Sequence, residues 1–269
     1  MLRPETETLD LSSTLSHFAE HGYARLGRVL SDEGADELGE RAHALMHSER
    51  PFPGLFYQHD SATGRYEDLV FNAGWVGPSP RYRKLERLEL DPLFLSFIRN
   101  PLFEQLTGSL LGPQVVLYRS VLWNKAPGVG MAVPWHQDDG KFWGLNRPPR
   151  VQVWTALDDA SEEAGCLEVV PGSHKHGLAS AEGGTVSEEQ LRLANADTTA
   201  TRLPARRGES ILVHNHLWHR TGRNHTAAPR RALSISFLDG ETGCTRRRRA
   251  PRQFMPVFGP SPSDAGGPS

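Results

Sequence analysis

After Ser31, apolar residues recur every three or four positions, at Ala35, Leu38, Ala42, Leu45 and Met46. Acidic Asp32 and Glu33 follow the serine directly. The spacing draws one apolar stripe along a helix that Ser31 caps and whose positive dipole end carries negative charge. It predicts a helix packed on a sheet from outside. Residues 82 to 111 carry further amphipathic segments around Leu85, Leu88, Leu95, Phe97, Ile98, Leu102, Phe103 and Leu106, with breaks at Pro92 and Pro101. These predict more of the same supporting layer.

From about residue 114 the pattern shortens to β-branched and aromatic runs punctuated by Gly and Pro: VVLYRSVLW, VQVWTAL, CLEVV, ESILVHNH and ALSISFL. Strands at that density predict a barrel or a two-sheet sandwich rather than alternating βα units. Two long irregular stretches stand out, residues 48 to 81 and 177 to 201, both expected to be candidate covers of an active site. After Phe258 the tail GPSPSDAGGPS has almost nothing to bury and is expected to be disordered. The expected organisation is one domain over 1–258, with a core barrel at about 114–240, helical support at about 14–111, and a loose tail at 259–269.

Composition narrows the partners. The 269 residues carry 32 acidic against 30 basic side chains, so no global field steers the chain to nucleic acid or an anionic membrane. A small molecule is the expected partner, and the sequence leaves the oligomeric state open. Cys166 and Cys244 are too few for a disulfide framework, and the N-terminus lacks a basic segment followed by an apolar run. A reducing cytoplasm is expected. No apolar stretch approaches the roughly 20 residues that span a bilayer. The run Arg246 to Arg249 reads as a solvated strip rather than a contact for an acidic ligand.

The chemistry begins at His136 and Asp138 in WHQDD, joined by His219 in LWHRTGRN. Residues i and i+2 reach one face in an extended segment, so His136 and Asp138 can chelate one ion from a strand end. His219 follows a strand-like run and opens a segment that must turn at Gly222 and Asn224. Two imidazoles and a carboxylate hold ferrous iron on one face and leave positions open for a cosubstrate and dioxygen. Arg230 is then a natural anchor for a carboxylate bound there. By alternation His214 with His216, or His174 with His176, could chelate zinc instead, although neither pair has an obvious nearby carboxylate. A zinc hydrolase on the same three ligands and a silent binding protein are the rival readings.

WHQDD, GCLEVVPGSHKHG and LVHNHLWHRTGRNHTAAPRRAL, in that order, resemble the phytanoyl-CoA dioxygenase family of iron(II) and 2-oxoglutarate-dependent oxygenases. FAEHGYARLGRVLSDEGADEL is similar to that family's opening helix, strand and helix, and the likeness covers roughly residues 14 to 240. The resemblance implies a mainly β fold with flanking helices, a double-stranded β-helix of jelly-roll or cupin type. It implies His136, Asp138 and His219 as iron ligands and Arg230, rather than Arg231, as the clamp on 2-oxoglutarate, with dioxygen as the oxidant. Thr221 matches a hydroxyl that assists Arg230, and Trp154 an aromatic of the cosubstrate pocket. Lys125 and Trp123 match positions bordering cosubstrate or substrate.

Two departures matter. Arg220 stands where the family often has glycine and is expected near an anionic group. Asp138 fills the position that halogenating relatives leave open for chloride, so halogenation is disfavoured. For substrate recognition the sequence offers Phe56 to Asp68, with Tyr57, Gln58, His59, Asp60, Arg65, Tyr66, Glu67 and Asp68, and then Asp139, Phe142 and Trp143. Carboxylates among aromatics suit a small polar metabolite, aminocyclitol- or sugar-like, better than a bare alkyl chain.

Overall fold

The computed structural model describes residues 9–71, 73–246 and 251–259. Asp10 caps α1 (Leu11–His21) by accepting from the Ser13 N–H, and Gly22 closes it at φ 80°, a left-handed turn that glycine enters at little cost. A short strand, β1 (Tyr23–Arg28), leads to α2 (Asp32–His47), where Ser31 Oγ accepts from the Gly34 N–H. The stripe read from the sequence is buried: Ala35, Leu38, Ala42, Leu45 and Met46 all face the core.

Residues 82 to 111 depart from the expected run of helices. Their first segment is a strand, β3 (Tyr82–Glu86), which pairs with β2 (Phe56–His59) on one side. Only then come α3 (Pro92–Ile98) and α4 (Pro101–Leu111). Pro92 and Pro101 start these helices instead of breaking them. Each occupies the first helical position behind a capping residue, Asp91 or Asn100, where the missing N–H would have had no partner anyway.

The remaining elements are β4 (Val115–Lys125), β5 (Val133–Gln137), β6 (Val151–Ala156), β7 (Leu167–Val169), β8 (Gly184–Thr185), α5 (Glu188–Leu193), α6 (Ala196–Thr199), β9 (Thr201–Leu203), β10 (Glu209–Val213), β11 (His219–Thr221), β12 (Arg230–Asp239) and β13 (Met255–Phe258). Among the described residues they build an eight-stranded sheet, β1-β10-β6-β12-β4-β3-β2 with β13 also on β4, and a five-stranded sheet, β8-β5-β11-β7-β9. Neighbours in both sheets run antiparallel.

One apolar cluster draws Trp154, Ile211, Val213 and Ala232 from the larger sheet and Leu167, Val169 and Leu203 from the smaller, so the sheets close on each other. Another joins Phe18, Leu38, Met46, Phe97, Phe103 and Leu106 to Leu122, Val153, Leu212 and Ile235, placing the helices on the outer face of the larger sheet. The result is the expected jelly-roll, cupin-like barrel with flanking helices.

The stretch 177–201 is more regular than its composition suggested. Thr185 of β8 pairs with His136, and α5 carries a capping box from Ser187 and Gln190. Val186 and Ala196 pack with Trp135, Val170 and Trp218. Apolar positions are spread thinly here, so each element is too short to show a period. Residues 247–249 of the arginine run and 260–269 of the expected tail lie outside the described residues. No helix among the described residues is long and apolar enough to cross a membrane.

Candidate metal centre and its cavity

β5 and β11 pair with His136 directly opposite His219, and the two ring centroids lie 4.0 Å apart. Register alone therefore joins two side chains distant in sequence. Asp138 follows β5 and is pinned by its backbone, its N–H donating to Asn215 O at 2.8 Å while Asn215 Nδ2 donates to Asp138 O at 3.2 Å. One ligand atom from each of His136, Asp138 and His219 lies within 4.8 Å of the others, and among the described residues no other three histidine, cysteine or acidic side chains gather this way.

The rings are oriented from behind. His136 Nδ1 lies 2.8 Å from Pro134 O and His219 Nδ1 lies 2.8 Å from Leu217 O. A carbonyl oxygen accepts, so each Nδ1 carries a proton and Nε2 is the ring nitrogen left to face a metal. Burial, followed by the neighbouring His219, pulls the His136 ring down to about 4, which leaves it neutral at ordinary pH. Asp138 behaves oppositely. Burial works against its charge, yet Arg119, then His219 and His136, hold its carboxyl far below the usual carboxylate range. Arg119 Nη2 donates to Asp138 Oδ1 at 2.7 Å, and Asp138 Oδ2 lies 3.6 Å from His219 Nε2.

Across the same cavity lies Arg230, at 1% exposure. Its Nη2 donates to Gly165 O at 3.2 Å, while Nε and Nη1 are buried without a partner. Thr221 Oγ1 is also buried and unpartnered, and it lines the cavity too. Burial alone leads the causes that draw Arg230 down to about 10. A buried cation with idle donors is costly unless an anion completes it. The distal carboxylate of 2-oxoglutarate would supply the acceptors that Arg230 and Thr221 lack, and the triad offers nitrogen and oxygen donors suited to iron, so the residues present fit both groups.

Trp154, Lys125 and Trp123 also line this cavity. The Arg230 guanidinium lies 5.9 Å from the Trp154 ring. Lys125 is the cross-strand partner of Arg230, and its Nζ donates to Met131 O. Burial, then Arg230, pushes that ammonium well below its ordinary value. Trp123 is half-buried in the wall, with Arg83 at 5.2 Å and Lys84 at 5.6 Å from its ring. Arg231 points elsewhere, forked onto Asp158 at 2.7 and 2.8 Å with a third bond to Gly39 O.

Several expectations need correction. Arg220 meets Glu168 of the paired strand, at 2.9 and 3.1 Å, and stacks on Trp135, so its anionic contact is internal to the protein. Asp139 is engaged by His216 at 2.8 Å, which supplies the carboxylate that the sequence did not reveal beside that histidine. His214 accepts from the His216 N–H and lies beside His174, a packed cluster without the geometry of a metal set. Within Phe56 to Asp68, Asp60 is the residue that lines the cavity, with Arg83 4.0 Å away. Tyr57, Gln58 and His59 are taken up by Phe52, Arg83 and Ser79, and Arg65, Glu67 and Asp68 pair at the surface. Within 177–201, Thr185 pairs with His136, so this stretch runs along the strand that carries a metal-ligand candidate.

Sequence reasoning missed Arg119. Its signal was a lone charge inside an apolar strand, where an unpaired guanidinium would be costly.

The family model for phytanoyl-CoA dioxygenase (PhyH) matches residues 18–232. The peroxisomal phytanoyl-CoA dioxygenase of Mus musculus is 26% identical over 240 residues, covering 84% of this chain and 68% of the mouse protein. Phytanoyl-CoA dioxygenase 1 of Oryza sativa subsp. japonica is 32% identical over 168 residues, 58% of this chain and 56% of the rice protein. The crystal structure of the epimerase SnoN in complex with Fe3+, alpha ketoglutarate and nogalamycin RO superposes with a TM-score of 0.71 at 18% identity, covering 93% of this chain and 96% of that one. At that identity the likeness speaks for the fold. The family model, spanning most of the barrel and both ends of the ligand set, makes this chain a member of the phytanoyl-CoA dioxygenase family of iron- and 2-oxoglutarate-dependent oxidoreductases.

Proposed function

We propose that residues 1–258 act as one oxygenase domain that uses iron(II), 2-oxoglutarate and dioxygen to oxidise an unactivated C–H bond of a small polar metabolite, aminocyclitol- or sugar-like, releasing succinate and carbon dioxide. Hydroxylation is the simplest outcome, with cyclisation or desaturation open to the same site. The observation that carries the reading is the buried Arg230 with two idle N–H groups, beside unpartnered Thr221, in one cavity with the His136, Asp138 and His219 cluster.

In this reading His136, Asp138 and His219 hold the metal, and Arg230 with Thr221 holds the distal carboxylate. Trp154 limits the pocket below the guanidinium. Lys125 and Trp123 border cosubstrate or substrate, and Lys125 stays tied to Met131 O. Iron with bound 2-oxoglutarate supplies the oxidising power. The chain supplies orientation, water exclusion and a fixed carboxylate. The two cysteines, Cys166 and Cys244, are unpaired, in keeping with a reducing cytoplasm.

Anaerobic titration of the protein with iron(II) and 2-oxoglutarate, followed by succinate release in air, tests the reading. We expect a visible absorption band that needs both additions, and slow succinate release that candidate substrates accelerate. Each of His136→Ala, Asp138→Ala and His219→Ala should abolish both. Ester or amide hydrolysis supported by zinc, with no 2-oxoglutarate binding, would overturn it in favour of a hydrolase; binding without turnover would favour a silent barrel.

A further inference from the structure

A second cavity adjoins the metal centre through Arg119. Its walls include Glu86, Tyr118, Arg119, Trp143, Arg246 and Arg252. Arg119 belongs to both places: Nη2 holds Asp138, the guanidinium lies 4.5 Å over the Trp143 ring, and Nε is buried without a partner. Trp143 in turn stacks on Tyr118 with centroids 4.2 Å apart and planes 9° apart. Phe142, 54% exposed, supplies a further aromatic face to the same cavity. A molecule seated here meets Arg119, the residue that holds Asp138.

The charges in this wall do not balance. Glu86 accepts from Lys84 at 2.6 Å; burial works against its charge, but Lys84 and Arg119 hold its carboxyl below the ordinary value. Arg119 is matched by Asp138. Arg252 Nη2 donates to Tyr118 O, and its guanidinium lies 5.0 Å from the Tyr118 ring. Arg246 Nη2 donates to Phe142 O. Both partners are neutral carbonyls. Among the described residues no carboxylate lies within ion-pair distance of either arginine or of Arg87 in the same wall, although Arg252 is near enough to Glu86 to help hold its carboxyl down. Against these three stands Glu89, which accepts from Ser120 Oγ at 2.5 Å.

Backbone carbonyls fix the direction of a guanidinium without neutralising it. Two such groups over one concavity suit an oxyanion that accepts in parallel from several donors. We infer that the substrate carries an acid group, a carboxylate or a phosphate, which Arg246 and Arg252 hold while an apolar or planar body lies on Trp143 and Phe142. The inference rests on the oxygenase reading and narrows its metabolite to an anionic one.

Simple probes test it in the cobalt(II)- and 2-oxoglutarate-loaded protein. Benzoate, phenyl phosphate and benzylamine share a ring and differ in charge, and each is titrated against tryptophan fluorescence. One acid or both should bind and benzylamine should not; the tighter acid identifies the group. In the double variant Arg246→Gln/Arg252→Gln, acid binding should weaken by about tenfold or more, the loss expected with a charge-assisted hydrogen bond. Cobalt(II) and 2-oxoglutarate binding, and the thermal midpoint, should stay at wild-type values because both arginines are solvent-exposed. Failure of both acids to bind, equal binding of benzylamine, or unchanged affinity in the double variant would overturn the anionic site and leave the oxygenase reading standing. Loss of cobalt(II) and 2-oxoglutarate binding by the wild-type protein would instead sink the oxygenase reading, and this site with it.

Discussion

Arg119 Nη2 donates to Asp138 Oδ1 at 2.7 Å, so a guanidinium occupies one carboxylate oxygen and leaves Oδ2 beside His219. A ligand held this way offers a metal one oxygen in a fixed direction. Arg119→Met should weaken cobalt(II) binding by about 10- to 100-fold, the usual cost of losing a partner that orients a ligand. Arg119→Lys should recover part of the affinity, because it keeps the charge without the fork. Titration followed by the visible spectrum of cobalt(II) reads both affinity and geometry. Wild-type affinity and spectrum in the Met variant would remove Arg119 from the centre.

Arg230 and Arg231 are neighbours in sequence with opposite surroundings. Arg230→Gln should raise the KM for 2-oxoglutarate by about tenfold or more, with little loss of fold stability, since two of its donors are idle in the free protein. Arg231→Gln should leave that KM unchanged and lower stability by roughly 1–3 kcal/mol, because Asp158 loses its forked partner. Steady-state kinetics and urea unfolding distinguish the two. An exchange of these phenotypes would assign the clamp to Arg231.

The His174, His214 and His216 cluster should make the fold sensitive to acid through His214. Burial, then His174 and His216, pulls the His214 ring from 6.5 to about 3. The unfolded chain therefore binds this proton at higher pH than the folded one. Stability from the neutral ring is present above about 6.5 and is lost progressively as pH falls toward about 3. His214→Asn keeps an acceptor for the His216 N–H and cannot titrate. Its urea midpoint should fall less than wild type between pH 7 and pH 5; equal falls would show that His214 does not carry the effect.

The longer strands after residue 114, such as β4, β6, β10 and β12, were legible because β-branched runs and glycine breaks repeat at short intervals, whereas short β8, β9 and β11 were not. α2 was legible too, its stripe having both a cap and a period. β3 was not, because Tyr82–Glu86 runs into the helical segments without a turn signal and Leu85 with Leu88 mimics helical spacing. At the site, alternation placed His136 with Asp138. Joining them to His219 depended on register between β5 and β11, which local pattern does not specify and the resemblance supplied. The fates of Asp139 and Trp143 were hidden for the same reason. Their partners, His216, Tyr118 and Arg119, come from other strands and loops.

The ladder that sets His136 opposite His219 also decides what the rest of the molecule is free to change. Because paired backbone strands fix the distance between these rings, the loop that carries Phe142 and Trp143 can vary in chemistry without disturbing them. Reprogramming this scaffold for a new compound therefore begins at the rim, with Phe142, Trp143, Arg246 and Arg252, while the paired histidines stay untouched.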